Sequence, residues 1–324
     1  MTTLNEIVEK LNQGNYTNEQ SIEVNDLYKS GVITTNAQIQ SKASSGGKTV
    51  DLPFWVDLSK QEPNISSDNV GSRATPLVIE GKKQTARISQ LNQAWTATDL
   101  AVERAGSNPI DSVRERLNDY WSEQLQRRLT ASMTGIIADS IANHSGDLVK
   151  DETGKAFNTK GFLRAAQTLG DHKKNLTALC VHSEIQTLMS ENDLIQYIPD
   201  SQGNLVVPTF KGLQLLVDDE VHNDGTTFDC YLLGRSAFGA AAGSPNVPLE
   251  TDRDALAADG GGNEVLVSRT SPIVHPMGYQ WSESDVVGDS PTLAELRNPA
   301  NWSRVMTSRK SLPFAVYRCD LVDA

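Results

Sequence analysis

Gly234-Arg235-Ser236-Ala237-Phe238-Gly239 is the stretch of this chain that comes nearest to a nucleophile motif, a serine between glycines as in the strand-to-helix elbow of hydrolases. That elbow needs glycine two residues after the serine to allow its strained turn, and Phe238 stands there instead. Ser236 is therefore read as the end of a strand. The histidines His144, His172, His182, His222 and His275 are dispersed, and only His182 lies close to a cysteine, Cys180, at alternate positions of a short apolar run. Two ligands do not close a zinc site. Cys180, Cys230 and Cys319 are too far apart for a disulfide framework or a metal spacing, so buried free thiols are expected. Asp218-Asp219-Glu220 and Asp224-Gly225 lack the one-three-five spacing and distal glutamate of a calcium loop, which leaves solvated turns. Gly260-Gly261-Gly262 precedes no Lys-Ser or Lys-Thr and opens no helix, so it does not cradle phosphate. No catalytic set, cofactor or metal is expected.

The elements that carry these residues point elsewhere. Leu4, Ile7, Val8 and Leu11 give one short helix, and Ser30 to Lys48 turns polar and small, a connector. From residue 49 to 95 short apolar runs, Leu52 to Val56 and Leu77-Val78-Ile79 among them, are separated by about 20 polar residues, which predicts a long hairpin with little core of its own. Asn108-Pro109 supplies a cap residue followed by proline at the first helical position. Apolar residues then recur at Ile110, Val113, Leu117, Trp121, Leu125, Leu129, Met133, Ile137 and Ile141 before the stop at Asn143 to Gly146. This predicts one helix of roughly 50 Å whose stripe drifts around its axis.

Downstream, helix and strand signals alternate. Phe162 to Leu169 reads as a helix, Leu176 to Val181 as a buried strand, and Ser183 with Gln186 as a capping box. Gly212 to Val217 and Thr227 to Leu233 read as strands joined by a polar turn. Gly239 to Asn263 reads as a long glycine- and alanine-rich loop, Val265 to Ser268 as a strand, Ser290-Pro291 as a helix start, and alternating Leu312, Phe314, Val316 and Arg318 as a closing strand.

Composition bounds the partners. Hydrophobic residues at 38% and charged residues at 22% are globular values. Twenty-nine basic against 41 acidic side chains leave −12, so the average surface repels phosphate and argues against sequence-specific nucleic-acid binding, though not against enclosing DNA. No apolar run is long enough to span a membrane, and Met1 to Lys10 lacks the apolar stretch of a signal peptide, so a soluble protein made in the cytoplasm is expected.

Local text joins this element order. Ser30-Gly31-Val32, Leu52-Pro53-Phe54-Trp55 with Asp57-Leu58, Glu62 to Asp68, Asn92-Gln93-Ala94-Trp95, Ala105-Gly106-Ser107-Asn108-Pro109 and Tyr120-Trp121 come first. His182-Ser183, Pro208-Thr209-Phe210-Lys211-Gly212, Ser268-Arg269, His275-Pro276-Met277-Gly278 and Asn301-Trp302 follow in order. The set resembles the major capsid proteins of tailed bacteriophages with the Hong Kong 97-type fold. The resemblance implies an α+β chain divided into an N-terminal arm and connector (1–50), an extended E-loop hairpin (51–95), a peripheral domain with the spine helix (96–158), a mixed α/β axial domain (159–264) and a return to the peripheral domain (265–324).

It further implies a non-enzymatic subunit that assembles in the host cytoplasm into the icosahedral head of a virion. The implied partners are copies of itself in pentamers and hexamers, a portal, decoration proteins, and double-stranded DNA enclosed without sequence-specific binding, with no membrane. Some relatives carry a long helical region ahead of the arm, and only about 50 residues precede the hairpin here, which implies a separate scaffolding protein or none. With the hairpin's missing core, the resemblance makes Pro53, Phe54, Trp55, Lys82, Lys83, Arg87, Gly243 and Gly261 the expected subunit-interface residues. The rivals are an encapsulin shell around a protein cargo, on the same fold, and a hydrolase-like enzyme, which needs the elbow that Phe238 breaks.

Overall fold

The computed structural model describes residues 31–35, 39–41, 46–58, 62–71, 73–199, 205–243 and 245–322. The short helix expected near Leu4 to Leu11 lies outside them. The connector holds a strand that its polar composition hid, β1 (Ile33–Thr35). Next come the hairpin stem, β2 (Thr49–Trp55) against β3 (Gly81–Arg87), then β4 (Leu91–Thr98), and a short helix α1 (Asp99–Ala105). The expected strand at Leu77-Val78-Ile79 is absent, and β4 pairs outside the hairpin altogether.

The long helix forms as its signals predict. α2 (Pro109–Asn143) starts on Asn108, whose side chain accepts from the Ile110 N–H, with proline in the first turn. Its burial is not a drifting stripe. Between Pro109 and Leu125 only Ile110 is buried, whereas from Gln126 to Ser140 nearly every residue is, so the helix passes from one-sided packing to full enclosure. Polar residues survive inside because they bond locally: the Thr130 and Ser132 hydroxyls donate to the Gln126 and Arg128 carbonyls one turn back. Ile141, expected in the stripe, is 47% exposed beyond the enclosed section. Trp121 is half-buried, and its indole N–H donates to Ser268 Oγ.

One wall of that enclosure is a seven-stranded mixed sheet. It brings together β5 (Val149–Ala156), β6 (Leu176–Val181), β7 (Gln196–Pro199), β8 (Leu205–Phe210), β9 (Leu213–Val217), β10 (Thr227–Gly234) and β16 (Phe314–Asp320) in the order β5-β16-β10-β6-β9-β8-β7. β9 and β10 are consecutive strands but not neighbours, because β6 lies between them. Phe314, Val316, Tyr231, Leu233, Ala178 and Cys180 face α2, while Ala315, Tyr317, Phe228, Leu232, Leu179 and Val181 face α3 (Thr159–Gln167) and α4 (Ser183–Glu191). Both faces are covered, so β16 is apolar on both sides instead of alternating. Its Arg318, opposite Asp229 on β10, makes a two-pronged ion pair at 2.6 and 2.9 Å. The sheet also crosses the expected divisions at 159 and 265, since β5 and β16 belong to it.

The second sheet is organised by one strand, β13 (Asn263–Pro276). Its first half pairs with both β12 (Leu249–Asp254) and β4, and its second half pairs with β11 (Phe238–Gly243), which in turn carries β1 in parallel. The stretch expected as a loop from Gly239 to Asn263 is thus two strands and a turn: the partner strand supplies the ladder that Gly and Ala residues do not signal. Two caps also differ from expectation. α4 is capped by His182, whose Nδ1 accepts from the Glu184 N–H, and not by Ser183. α5 (Leu293–Arg297) starts at Thr292 in a capping box with Glu295, two residues after Ser290. β14 (Tyr279–Trp281) and β15 (Trp302–Arg304) form a small ribbon beside it. Among the described residues no helix is long and apolar enough to cross a membrane.

The other wall of the enclosure depends on Gly135. A Cβ there would stand 2.2 Å from the Leu296 carbonyl oxygen and 2.5 Å from Trp302 Nε1, the two atoms that share a hydrogen bond of 2.8 Å. Gly135→Ala should therefore push α5 and Trp302 off the helix and destabilise the unassembled subunit by about 3 kcal/mol or more, the upper range for overpacking. Denaturant unfolding of the purified subunit checks this, and a change under about 0.5 kcal/mol would mean that the wall yields freely.

His275, on β13, supplies a pH dependence. It is 3% exposed and its Nε2–H donates to the Tyr279 carbonyl at 2.9 Å. Burial pulls its pKa from 6.5 down to about 4. The unfolded chain therefore takes up the proton more readily, so this contribution is complete above about pH 6.5 and is lost as pH falls toward 4. The subunit should lose on the order of 2 kcal/mol between pH 7 and pH 5 that a His275→Gln variant does not lose. Paired unfolding titrations at the two pH values measure the difference.

Candidate assembly interface

The residues nominated by type for chemistry do not converge. Ser236 has φ of 59°, a strained turn between β10 and β11, but its Oγ accepts from the Thr34 hydroxyl at 2.7 Å. His172 lines a surface groove together with Ser236 but makes no hydrogen bond to it among the described residues. His182 is occupied as a helix cap, and Asp219 accepts from the Ser183 N–H beside it. Burial raises the Asp218 carboxyl above the usual carboxylate range, against the Glu220 N–H and Gln126 and Thr130 side chains that favour its charged form. All three cysteines are buried thiols in no disulfide, as expected, and Cys230 is pushed well up by a hydrogen bond with the Cys319 thiol and by burial. Among the described residues no group of three or more His, Cys, Asp or Glu is placed to hold a metal.

What the fold builds with care is the hairpin. In its stem Pro53 stands opposite Lys83, Phe54 opposite Lys82 and Trp55 opposite Gly81. Asp51 takes both the Lys83 ammonium, at 2.7 Å, and the Thr85 hydroxyl, at 2.8 Å. Pro53 and Lys82 are exposed, Phe54 is half-buried, and Trp55 is 75% exposed. Beyond the stem the described residues between Val56 and Glu80 have no regular structure and are tied by the Val56 N–H to the Glu80 carbonyl and by Asn64, whose amide bonds both ways with the Thr75 backbone. Trp55, Leu58, Ile65, Val70, Leu77, Val78 and Ile79 are all more than half exposed along it. Solvated loops do not usually carry so many large apolar side chains.

The base of the hairpin is fixed in the opposite manner. Arg87, expected at an interface, is 5% exposed and its guanidinium is engaged within the subunit: it donates to the Lys48, Ile88 and Asp289 carbonyls and pairs with Glu283 at 2.5 Å. Arg128 on α2, buried and lowered to about 10 by that burial, donates to Ser89 Oγ and the Pro291 carbonyl. Two guanidiniums thus bind the start and end of the hairpin to the 283–291 loop and the long helix. Sequence reasoning missed Arg128, since nothing local marks an arginine as buried. Gly243 is buried at the end of β11, and Gly261 sits exposed in the turn before β13, so neither joins the hairpin residues in one site.

Comparison with known proteins bears on this arrangement. The sequence matches the profile of the Gp13-like family, described as major capsid protein 13-like, over residues 85–313. The major capsid protein of Bacillus phage SPP1 is 32% identical over 305 residues, covering 91% of each chain. Among solved structures, the capsid asymmetric unit of cyanophage Pam1 aligns over 100% of both chains with a TM-score of 0.56 at 8% identity. The capsid of Ralstonia phage GP4 aligns over 99% of this chain and 98% of that one, with a TM-score of 0.54 at 11% identity. At such identities these two likenesses speak to the fold alone, which is the Hong Kong 97-type fold that the element order implied.

Proposed function

The chain belongs to the Gp13-like family of major capsid proteins, and we propose that it performs this role through surfaces alone, with the hairpin as the contact that locks neighbouring subunits. As a major capsid protein of a tailed phage it is a subunit of the icosahedral head. The encapsulin reading is not favoured, because the relative with 32% identity over 91% of its length is a phage major capsid protein. The observation that carries the hairpin's role is the contrast within it: a base held by Arg87 and Arg128, and seven exposed apolar side chains, Trp55 at the end of the stem and six in the segment beyond it, where the described residues make few bonds. A segment that cannot bury these groups within its subunit gains order by lying on another. Burying a large apolar side chain is worth about 1.5 to 3 kcal/mol, so the seven offer on the order of 10 kcal/mol before the cost of ordering the loop.

The finer assignments follow from this reading. Pro53, Trp55, Lys82 and Lys83 form the stem's contribution to the contact, and Gly261 lies on a second exposed turn. Contacts between unlike patches close into rings, which suits pentamers and hexamers of one chain. The head encloses double-stranded DNA, is assembled in the host cytoplasm, and works with a portal. The chain is not an enzyme: Ser236 lacks a hydrogen-bonded base, and Asp218 and His182 are engaged in structural bonds.

Replacing residues 57–80 by a short Gly-Ser linker should leave a subunit that unfolds as cooperatively as the parent but forms no stable shells, measured by sedimentation and negative-stain microscopy. Shells of normal yield and stability would sink the hairpin's role. In a complementation assay Ser236→Ala, His182→Ala and Asp218→Ala should each track assembly: any loss of infectious particles should match a loss of shells. Normal, genome-filled shells that fail to infect would point to chemistry at that residue.

A further inference from the structure

Where β6 begins and β10 ends, at one end of two central strands of the seven-stranded sheet, a groove of about 540 Å³ opens on the surface. Among the described residues its titratable side chains are His172, Lys174, Arg235 and Lys310, and no carboxylate lines it. In a chain with 41 acidic and 29 basic residues this is an unusual local balance. Most arginines here are engaged, as Arg87, Arg127, Arg253, Arg269, Arg304 and Arg318 show, but the exposed Arg235 guanidinium and Lys174 ammonium have no partner among the described residues. Lys310 pairs with Asp171 at 2.6 Å outside the groove lining, and Lys173 donates to Gln167. The local charge therefore stays positive.

The groove is also rigidly framed. The Arg235 N–H donates to the Asn175 carbonyl and the Gly234 N–H to the Pro313 carbonyl, so the turn bearing Arg235 is bound to both neighbouring segments. A Cβ at Gly234 would meet the Asn175 and Pro313 carbonyl oxygens at 3.1 and 3.2 Å, which shows how closely the backbones approach. Arg235 and Lys174 are thus presented from fixed strand and turn ends.

We propose that this groove holds the phosphate backbone of the duplex DNA enclosed by the head, a sequence-independent contact repeated once per subunit; the proposal rests on the capsid reading above. Charge complementarity favours phosphate over an acidic segment of a neighbouring subunit. A protein segment normally anchors through apolar side chains in a pocket, and Met277 is the one large exposed apolar residue the lining offers. Phosphate needs only unpaired cations. An otherwise acidic wall with a few such points restrains the genome without wrapping it.

The test is acylation by acetic anhydride, small enough to cross a protein shell, of DNA-filled heads and of the same heads emptied of DNA, with modified lysines quantified by mass spectrometry. Lys174 should react several-fold more slowly in filled heads than in emptied ones. Equal reaction in the two states would overturn the proposal. Protection that persists in emptied heads would also overturn it, assigning the groove to a neighbouring subunit. If the chain forms no sedimenting heads at all, the capsid reading falls first and this inference with it, an outcome visible before any labelling.

Discussion

Enclosure of the second half of one helix is the constraint on which the rest of this subunit depends. From Gln126 to Ser140 the helix is buried almost all round, although it carries Gln126, Arg128, Thr130, Ser132, Asp139 and Ser140. A helix in that position needs a wall on every side, and each wall comes from a different part of the chain: the seven-stranded sheet, α5 with Trp302, and β13. Gly135 permits the closest of these approaches. The strands of the sheet in turn need cover on their far face, which α3 and α4 provide. Fixing the helix therefore fixes the relation between the sheet and the β13 platform, which both pack on it.

The hairpin inherits its rigidity from the same helix. Arg128 extends from the buried section to Ser89 and Pro291, and Arg87 binds four groups around the hairpin's base. Buried guanidiniums are expensive unless fully hydrogen-bonded, and removing one partner leaves polar groups stranded. The arrangement is therefore all or nothing, which suits a lever. The base cannot swivel gradually, while the 56–80 segment beyond the stem has few bonds to lose.

Much of this was legible in the sequence wherever a local signal and a local cause coincide. Asn108-Pro109 marks the start of the long helix because cap and first-turn proline act within one turn, and the apolar run from Leu176 to Val181 marks a strand buried on both faces. Non-local causes left no such trace. β1, β11 and β12 lie in polar or Gly- and Ala-rich stretches; β11 and β12 are strands because β13 lends them its hydrogen-bonding edges, and β1 is one because β11 offers it the other edge. Ile141 fits the apolar period but lies past the point where the walls end. At the candidate interface, the hairpin stem was visible as apolar runs without enough residues for a core. Arg87 looked like an interface cation on a projecting hairpin, and its burial depends on the 283–291 loop about 200 positions away.

The hairpin's composition shows how an assembling subunit can carry unmet apolar surface and remain dispersed. Its seven exposed apolar side chains are spread along the segment: Leu58, Ile65 and Val70 each follow a polar residue, Asp57, Asn64 and Asn69, Trp55 stands between half-buried Phe54 and Val56, and Leu77-Val78-Ile79 is followed at once by Glu80. Spread in this way they are separated along the chain by polar residues, and a net charge of −12 favours dispersal of unassembled subunits. A neighbouring surface shaped to receive the extended segment can nonetheless bury all of them together. Specificity then comes from spacing along an extended chain on a fixed base, so only a partner in the correct orientation collects the full gain. A compact apolar patch would associate with many surfaces, whereas under the proposed role a segment of this kind rewards a single geometry, which a closed shell of repeated subunits requires.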